Sequence, residues 1–285
     1  MLLQSEQEIF ESLLIYKYII PIGIIIIGLF ILYRLVRVFE FVYASKFKKP
    51  IVTHLSLRLK KLTPKQRTVL KNESSFYKKL SGRHQRYFEH RTAKFIKSNE
   101  FIGKKELIVT ERMKVLIAAT AVMLTFGFRK YKIGIIDKVI IYPNTYFSQI
   151  NEVEHKGEIN PKLKVIVFSW KDFEQGYKIG DDNLNLGIHE FGHAVHLNSI
   201  NNSDISSVIF KKGFMNLTNY LQRNDSVRKD LINSKYFRTY AYTNQFEFFA
   251  VLLENFIETP NTFKAQFPRL YNYMKDMLNF NFAGY

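Results

Sequence analysis

The chain has 285 residues, contains no cysteine and carries a formal net charge of +17. The absence of cysteine excludes disulfides, thiolate metal ligands and cysteine nucleophiles, so a transition metal here would require imidazole and carboxylate ligands. With 47% hydrophobic and 15% aromatic residues, the composition indicates one folded domain with accessory segments rather than a disordered chain.

A long uncharged stretch near the N-terminus predicts a membrane helix. Residues 18–33 read YIIPIGIIIIGLFILY. Sixteen helical residues span about 24 Å, less than a hydrocarbon core of about 30 Å, but Lys17 and Arg34 can extend their charges to the lipid headgroups. We therefore predict a single transmembrane helix over about residues 14–38. Glutamates precede it where a cleaved signal peptide requires basic residues, and four consecutive isoleucines favour lipid contact over a buried core helix.

Nearly all of the positive charge follows this helix directly. Residues 34–105 hold 20 Lys and Arg against 4 Glu. Basic residues on one side of a membrane helix predict that this side is cytoplasmic, so we expect a single-pass protein of the cell membrane whose C-terminal bulk faces the cytoplasm. Residues 41–61 are predicted to form a basic juxtamembrane linker that attracts anionic headgroups, although many of the following basic residues could simply be the solvated side of helices. No nucleic-acid-binding motif accompanies the charge, so no specific nucleic-acid partner is expected.

The remaining segments, in chain order, predict a mainly helical α+β domain with a small sheet. Thr63 and Pro64 open a helical region that continues to about residue 98 and is interrupted at Ser81–Gly82. Residues 106–110 predict a short strand or the approach to a helix. Further strands are predicted at 138–143 and 164–170, and further helices at about 111–126, 182–198, 205–222, 244–257 and 261–279.

One of these helices carries a compact cluster of polar residues. Residues 186–196 read LGIHEFGHAVH, in which His189, Glu190 and His193 form the pattern His-Glu-x-x-His. Random order would produce about 0.01 such pentapeptides in a chain of this composition. Histidines four residues apart lie on one face of a helix and can bind the same tetrahedral zinc ion. Glu190 would lie beside the ion, where it could accept a proton from a bound water.

Such a site requires a third protein ligand, and three residues are candidates. His196 lies one turn after His193, about 4.5 Å further along the helix axis, so convergence is difficult and a hydrogen-bonding or surface position is the alternative. His155 lies in an apparent loop. Glu247 lies in the apolar segment YAYTNQFEFFAVLLENF, where a carboxylate is costly unless a metal ion, an Arg or a Lys meets it. We favour Glu247, and Glu254 on the same face is a possible partner behind the ligands.

These residues resemble the Mlc titration factor A family of zinc peptidases. HEFGHAVH and the downstream YAYTNQFEFFAVLLENF resemble the family's gluzincin-type metal site, and FIGKKELIVTERMKVLIAATAVMLTFGF, VIIYPNTYF, HKGEI, FSW and TPNTFKAQFPRLYNYM resemble its other stretches in the same order. The resemblance covers roughly residues 62–280. It implies a zincin-like peptidase domain over residues 62–285, preceded by the linker and by an N-terminal segment, residues 1–40, that contains the membrane helix.

Carried over by position, the family pattern implies that His189, His193 and Glu247 bind Zn²⁺ and that Glu190 is the general base. It also implies that Tyr240, seven residues before the glutamate ligand, stabilises the oxyanion, with Tyr242 as a weaker alternative. The family often has Asp where this chain has His196, so contacts behind the metal could differ.

The expected function is that of a membrane-anchored zinc metallopeptidase acting on peptides or proteins, aminopeptidase-like by resemblance. We expect the strand at 164–170 to lie at the edge of the cleft, where a peptide could pair with its backbone. The alternative is a membrane-tethered regulatory protein that sequesters a transcriptional repressor or another partner and uses zinc structurally. An intact Glu190 favours the peptidase, because metal ligation alone requires no general base.

Overall fold

The computed structural model describes residues 10–56, 58–148 and 153–285, without the side chains of Ser148 and Val153. The chain divides into two compact units between Phe47 and Lys48. Residues 1–9 of the predicted N-terminal segment lie outside the described residues.

The first unit is described as one helix, α1, at Phe10–Phe47. A π-helical turn occupies Ile15–Ile19. Pro21 accounts for it, because proline has no N–H and its ring collides with the carbonyl four residues earlier, which widens the preceding turn. The apolar side chains of α1 are exposed, and the helix is long and apolar enough to cross a membrane, as the sequence predicts.

The second unit is mainly helical. Its first three helices begin after residues that cap them: Thr63, Ser74 and Ser81 each accept a hydrogen bond from a backbone N–H of the first turn. The helices are α2 (Pro64–Glu73), α3 (Ser75–Lys79), α4 (Gly82–Ser98), α5 (Glu111–Leu124), α6 (Trp170–Lys178), α7 (Leu186–Ile200), α8 (Ile205–Arg223), α9 (Asp225–Asn233), α10 (Gln245–Glu258), α11 (Pro260–Gln266) and α12 (Pro268–Leu278), with a 3-10 turn at Thr239–Tyr242.

A four-stranded sheet packs against these helices. Its strands are β1 (Glu100–Gly103), β2 (Lys138–Tyr142), β5 (Gly157–Asn160) and β6 (Val165–Ser169), and a separate hairpin pairs β3 (Tyr146–Ser148) with β4 (Val153–His155). The sheet order is β1-β2-β6-β5, in which β1, β2 and β6 are parallel and β5 is antiparallel to β6. The predicted mainly helical α+β class with a small sheet is confirmed.

Several predicted boundaries are wrong for local reasons. Of the two alternatives for 106–110, the approach to a helix is confirmed, because Thr110 caps α5. The strand of this region lies at Glu100–Gly103, and the chain turns back through Lys105 and Glu106, both in the left-handed region. The strand predicted to reach residue 170 ends at Ser169, whose hydroxyl accepts from the N–H of Asp172 and starts α6. The single helix predicted at 261–279 is two helices that divide before Pro268.

The first residues of the second unit, from Lys48 onward, pack against the helices of the same unit. Arg91 donates to the carbonyl of Thr53, and the N–H of Lys60 donates to Nδ1 of His90 at 2.7 Å. Part of the predicted linker is therefore held against the helices that follow it. The start of a peptidase domain at residue 62 stays a prediction.

Candidate metal centre

Asn185 fixes the start of α7. Its Oδ1 accepts a hydrogen bond from the N–H of Ile188 at 3.0 Å, and its Nδ2 donates to the carbonyl of Gly176 at 2.8 Å. Asn183, two residues earlier, has φ of 56°, which an α-helix does not contain. The helix therefore begins at Leu186, later than the sequence suggests, and its first two turns carry the His-Glu-x-x-His pattern.

Helix α10 brings Glu247 to this pattern. Asn244 caps α10 by accepting from the N–H groups of Phe246 and Glu247, so Glu247 lies in the first turn. Helices α7 and α10 approach closely at Gly192, where an added Cβ would lie only 3.0 Å from Cδ2 of Leu253. A side chain at position 192 would therefore press on Leu253, and the close approach of the two helices brings Glu247 into range.

Potential ligand atoms of three side chains converge between the two helices. Nε2 of His189 lies 3.1 Å from Nε2 of His193 and 3.0 Å from Oε2 of Glu247, and Nε2 of His193 lies 3.4 Å from Oε1 of Glu247. Ligand atoms around a tetrahedral ion at bond lengths near 2.0–2.1 Å are separated by about 3.3 Å. The imidazole and carboxylate donor set and its spacing therefore fit a zinc ion.

The electrostatics of this group also favour a positive charge at its centre. The buried Oε2 of Glu247 accepts no well-aligned hydrogen bond. Burial alone would lower the pKa of His189, but the carboxylates of Glu247 and Glu254 outweigh it and raise this pKa to about 9. A proton is thus held where a metal ion would bind, and metal binding would release it.

Glu190 lies beside this group and is nearly inaccessible to solvent. Burial raises its pKa, while His189 and His193 partly oppose that shift. The first residue of β5 lies directly against its side chain, since an added Cβ at Gly157 would be 2.7 Å from Cγ of Glu190. A larger residue at position 157 would therefore require Glu190 or Leu186 to move.

A supporting network lies behind His189. Glu254 is fully buried, and its Oε1 lies 2.7 Å from Nδ1 of His189. Arg238 donates to both oxygens of Glu254, at 2.7 and 2.9 Å, and the N–H of Asn185 donates to Oε2 at 3.0 Å. The sequence suggested Glu254 as a partner behind the ligands but missed Arg238 and Asn185. The available signal was that a buried carboxylate such as Glu254 requires a cationic partner, but the sequence does not show which Arg or Lys supplies it.

The two candidate tyrosines have different environments. The Tyr240 ring lies 6.0 Å from that of His189, and partial burial together with the negative charge of Glu247 raises the pKa of Tyr240 to about 12. Tyr242 instead donates its hydroxyl to the carbonyl of Leu231 at 2.9 Å. Only Tyr240 therefore has its side chain beside the convergent group.

The other two histidines considered as ligands, His196 and His155, lie outside this group. His196 is buried among aromatic rings, with that of Phe214 at 4.2 Å, and its Nδ1 has no hydrogen-bond partner among the described residues. The alternative of a surface His196 is wrong, because the helix turns this side chain into the core. His155 belongs to strand β4 rather than a loop and lines the cleft.

The convergent group opens into a cleft of about 370 Å³. Its walls come from the segment that joins β4 to β5, the start of α7 and the segment containing Arg238 and Tyr240. Strand β6 is paired on both sides, by β2 and β5, so the expectation that it forms the cleft edge is wrong. Among the described strands, β5 is the edge strand on this side of the sheet.

Two comparisons place the chain among known sequences. The family model described as glucose-regulated metallo-peptidase M90 matches residues 52–278. An uncharacterized protein of Synechocystis sp. is 21% identical over 236 residues, which are 75% of this chain and 83% of that protein. The matched residues include the whole convergent group and the cleft, and they exclude α1.

Proposed function

Because the chain belongs to the glucose-regulated metallo-peptidase M90 family, we propose that it hydrolyses peptide bonds with a zinc ion held by His189, His193 and Glu247. The observation that carries this proposal is the convergence of these three side chains beside the buried carboxylate of Glu190. A zinc ion held there would polarise the scissile carbonyl and make a water molecule more acidic.

The side chains of the chain supply the proton transfers. Glu190 accepts the proton of the attacking water and passes it to the leaving amine, and its raised pKa suits a group that must do both near neutral pH. The hydroxyl of Tyr240 donates a hydrogen bond to the developing oxyanion. Glu254 accepts a hydrogen bond from Nδ1 of His189 and so keeps the Nε2 lone pair directed at the metal.

The substrate is a peptide that lies along β5. An edge strand offers unpaired backbone groups to an extended peptide, and the first residue of β5 lies against Glu190. A peptide paired there would pass directly over the general base. Aminopeptidase-like action predicts that peptides with a free N-terminus are cleaved and that their N-acetylated counterparts are not.

The decisive experiment compares Glu190→Gln with Glu106→Gln, a control at an exposed glutamate of the second unit. We expect Glu190→Gln to abolish peptide hydrolysis while bound zinc, measured by atomic emission, stays at one per chain. The control should retain full activity. Hydrolysis that persists in Glu190→Gln, or zinc content that is unchanged in Glu247→Ala, would reject the proposed mechanism.

We also propose that α1 crosses the membrane with the second unit on the cytoplasmic side, because the basic residues follow the helix. The lack of cysteine makes the test simple. In Ser5→Cys, a membrane-impermeant maleimide should label intact cells, whereas Lys97→Cys should be labelled only after lysis. The reverse pattern would overturn the orientation.

A further inference from the structure

A basic pocket lies on the second unit, outside the metal centre. It has a volume of about 450 Å³ and lies between α4, α5 and the segment that follows α5. Five cationic residues line it, namely Arg91, Lys94, Arg129, Lys130 and Lys132. None of the described lining residues is acidic. Its volume is in the range of small-molecule sites.

Arg91 is built into the wall of this basic pocket. It is 3% exposed, and its terminal nitrogens donate to the carbonyls of Thr125, Phe126 and Thr53. The guanidinium also lies 4.2 Å from the ring centre of Tyr131. These contacts orient the guanidinium of Arg91 but include no carboxylate. Its positive charge is therefore not neutralised and contributes to the electrostatic potential of the pocket.

Flexible cations stand at the mouth of the same pocket. Lys94 follows Arg91 by one turn of α4, and Lys132 extends from the opposite segment, and both are exposed. Apolar side chains, including Phe95, Val122 and Ile133, form the rest of the lining. A concave surface of one charge sign concentrates the electrostatic potential and attracts ions of the opposite sign.

We propose that this basic pocket binds a phosphate group carried by a partly apolar molecule. A phosphate has up to two negative charges and several acceptor oxygens, so it can engage Lys94 and Lys132 together, in the field of Arg91. The apolar lining accommodates the remainder of the ligand. Such a phosphate has two sources: the headgroup of an anionic phospholipid, or a soluble phosphate monoester.

The test measures binding to the full chain in nanodiscs. For the soluble source, the nanodiscs contain only phosphatidylcholine, and phenyl phosphate or inorganic phosphate is titrated by calorimetry. For the lipid source, the thermal midpoint in phosphatidylcholine nanodiscs is compared with that in nanodiscs containing phosphatidic acid. Arg91 is left unchanged, because its contacts with three carbonyls make misfolding of its variants a competing explanation.

The double variant Lys94→Gln, Lys132→Gln removes two cations of the pocket, and the control Lys97→Gln, Lys104→Gln removes two exposed cations outside it. We expect the pocket variant to weaken binding of the effective probe at least about tenfold, the typical effect of losing hydrogen bonds to a charged group, and the control to leave it unchanged. Saturable binding of phenyl phosphate assigns the soluble source, and a stabilisation specific to phosphatidic acid assigns the lipid. Absence of binding to every probe, or equal weakening in both double variants, would overturn the proposal.

Discussion

Replacing Glu254 by glutamine tests how strongly the metal centre depends on the carboxylate behind His189. Glu254 is fully buried and accepts hydrogen bonds from His189, from both terminal nitrogens of Arg238 and from the N–H of Asn185. Glutamine keeps the shape and one acceptor oxygen, but it removes the negative charge. Its NH₂ group would also face one of the groups that donate to Glu254, which it cannot accept from. The positive charge of Arg238 then loses its partner.

Two magnitudes follow from these contacts. Loss of a carboxylate behind a ligating histidine weakens metal affinity about 10- to 100-fold, or about 1.4–2.7 kcal/mol. In the zinc-free protein, breaking the buried pair of Glu254 and Arg238 costs about 3 kcal/mol in the free energy of unfolding. For a unit of this size that lowers the thermal midpoint by roughly 6–12 °C.

The matched control is Glu258→Gln, on the same helix one turn later. Glu258 accepts from Nδ2 of Asn185 but does not contact His189, and burial raises its pKa to about 7, so about half of it is already uncharged at neutral pH. Zinc affinity, measured by competition with a fluorescent chelator, should fall in Glu254→Gln and stay unchanged in Glu258→Gln. Equal affinities in the two variants would refute the supporting role of Glu254.

Three further predictions concern packing, pH and the metal. Gly192→Leu should lower the free energy of unfolding by about 1–3 kcal/mol in denaturant titrations, because the new side chain would collide with Leu253. The control Gly82→Leu places its side chain in open space and should cause no such loss. Because the pKa of Glu258 is raised from 4.5 to about 7 in the folded protein, its protonation stabilises the fold fully below pH 4.5, and this stabilisation is lost as the pH rises through about 7. Glu258→Gln should therefore flatten the decline of zinc-free stability between about pH 5 and 8. Chelation should remove about 4 kcal/mol of stability when free zinc had been at 1,000 times its dissociation constant, and Glu247→Ala should not respond to the chelator.

The parts of the metal centre that could be predicted from sequence are those that depend on helical periodicity. The spacing of His189 and His193 and the apolar surroundings of Glu247 are local properties, and the structure brings these three residues together. Arg238 could not be predicted, because it reaches Glu254 from an irregular segment just before the 3-10 turn. Periodicity says nothing about where the side chains of such a segment point.

Strand order was equally inaccessible from sequence. The segments of β2 and β6 are continuous apolar runs, typical of buried strands, and their existence was predicted correctly. Strand β5, Gly157–Asn160, has only four residues and no apolar alternation, so the sequence contained no signal that it covers the edge of β6. The cleft edge was therefore assigned to β6, the strand that precedes the His-Glu-x-x-His helix as in zincin-like folds, rather than to β5, which lies there.

The carboxylates of the centre divide into two groups by the donors that surround them. Glu254 and Glu258 accept hydrogen bonds from Arg238, His189 or Asn185, which stabilise a fixed position. Among the described residues, no side chain donates a hydrogen bond to Glu190, although it is buried. Burial raises the pKa of Glu190, so its charged form is disfavoured there, and Glu190→Gln should leave the zinc-free thermal midpoint equal to or higher than that of the original chain. A lower midpoint would instead show that the carboxylate of Glu190 stabilises the fold.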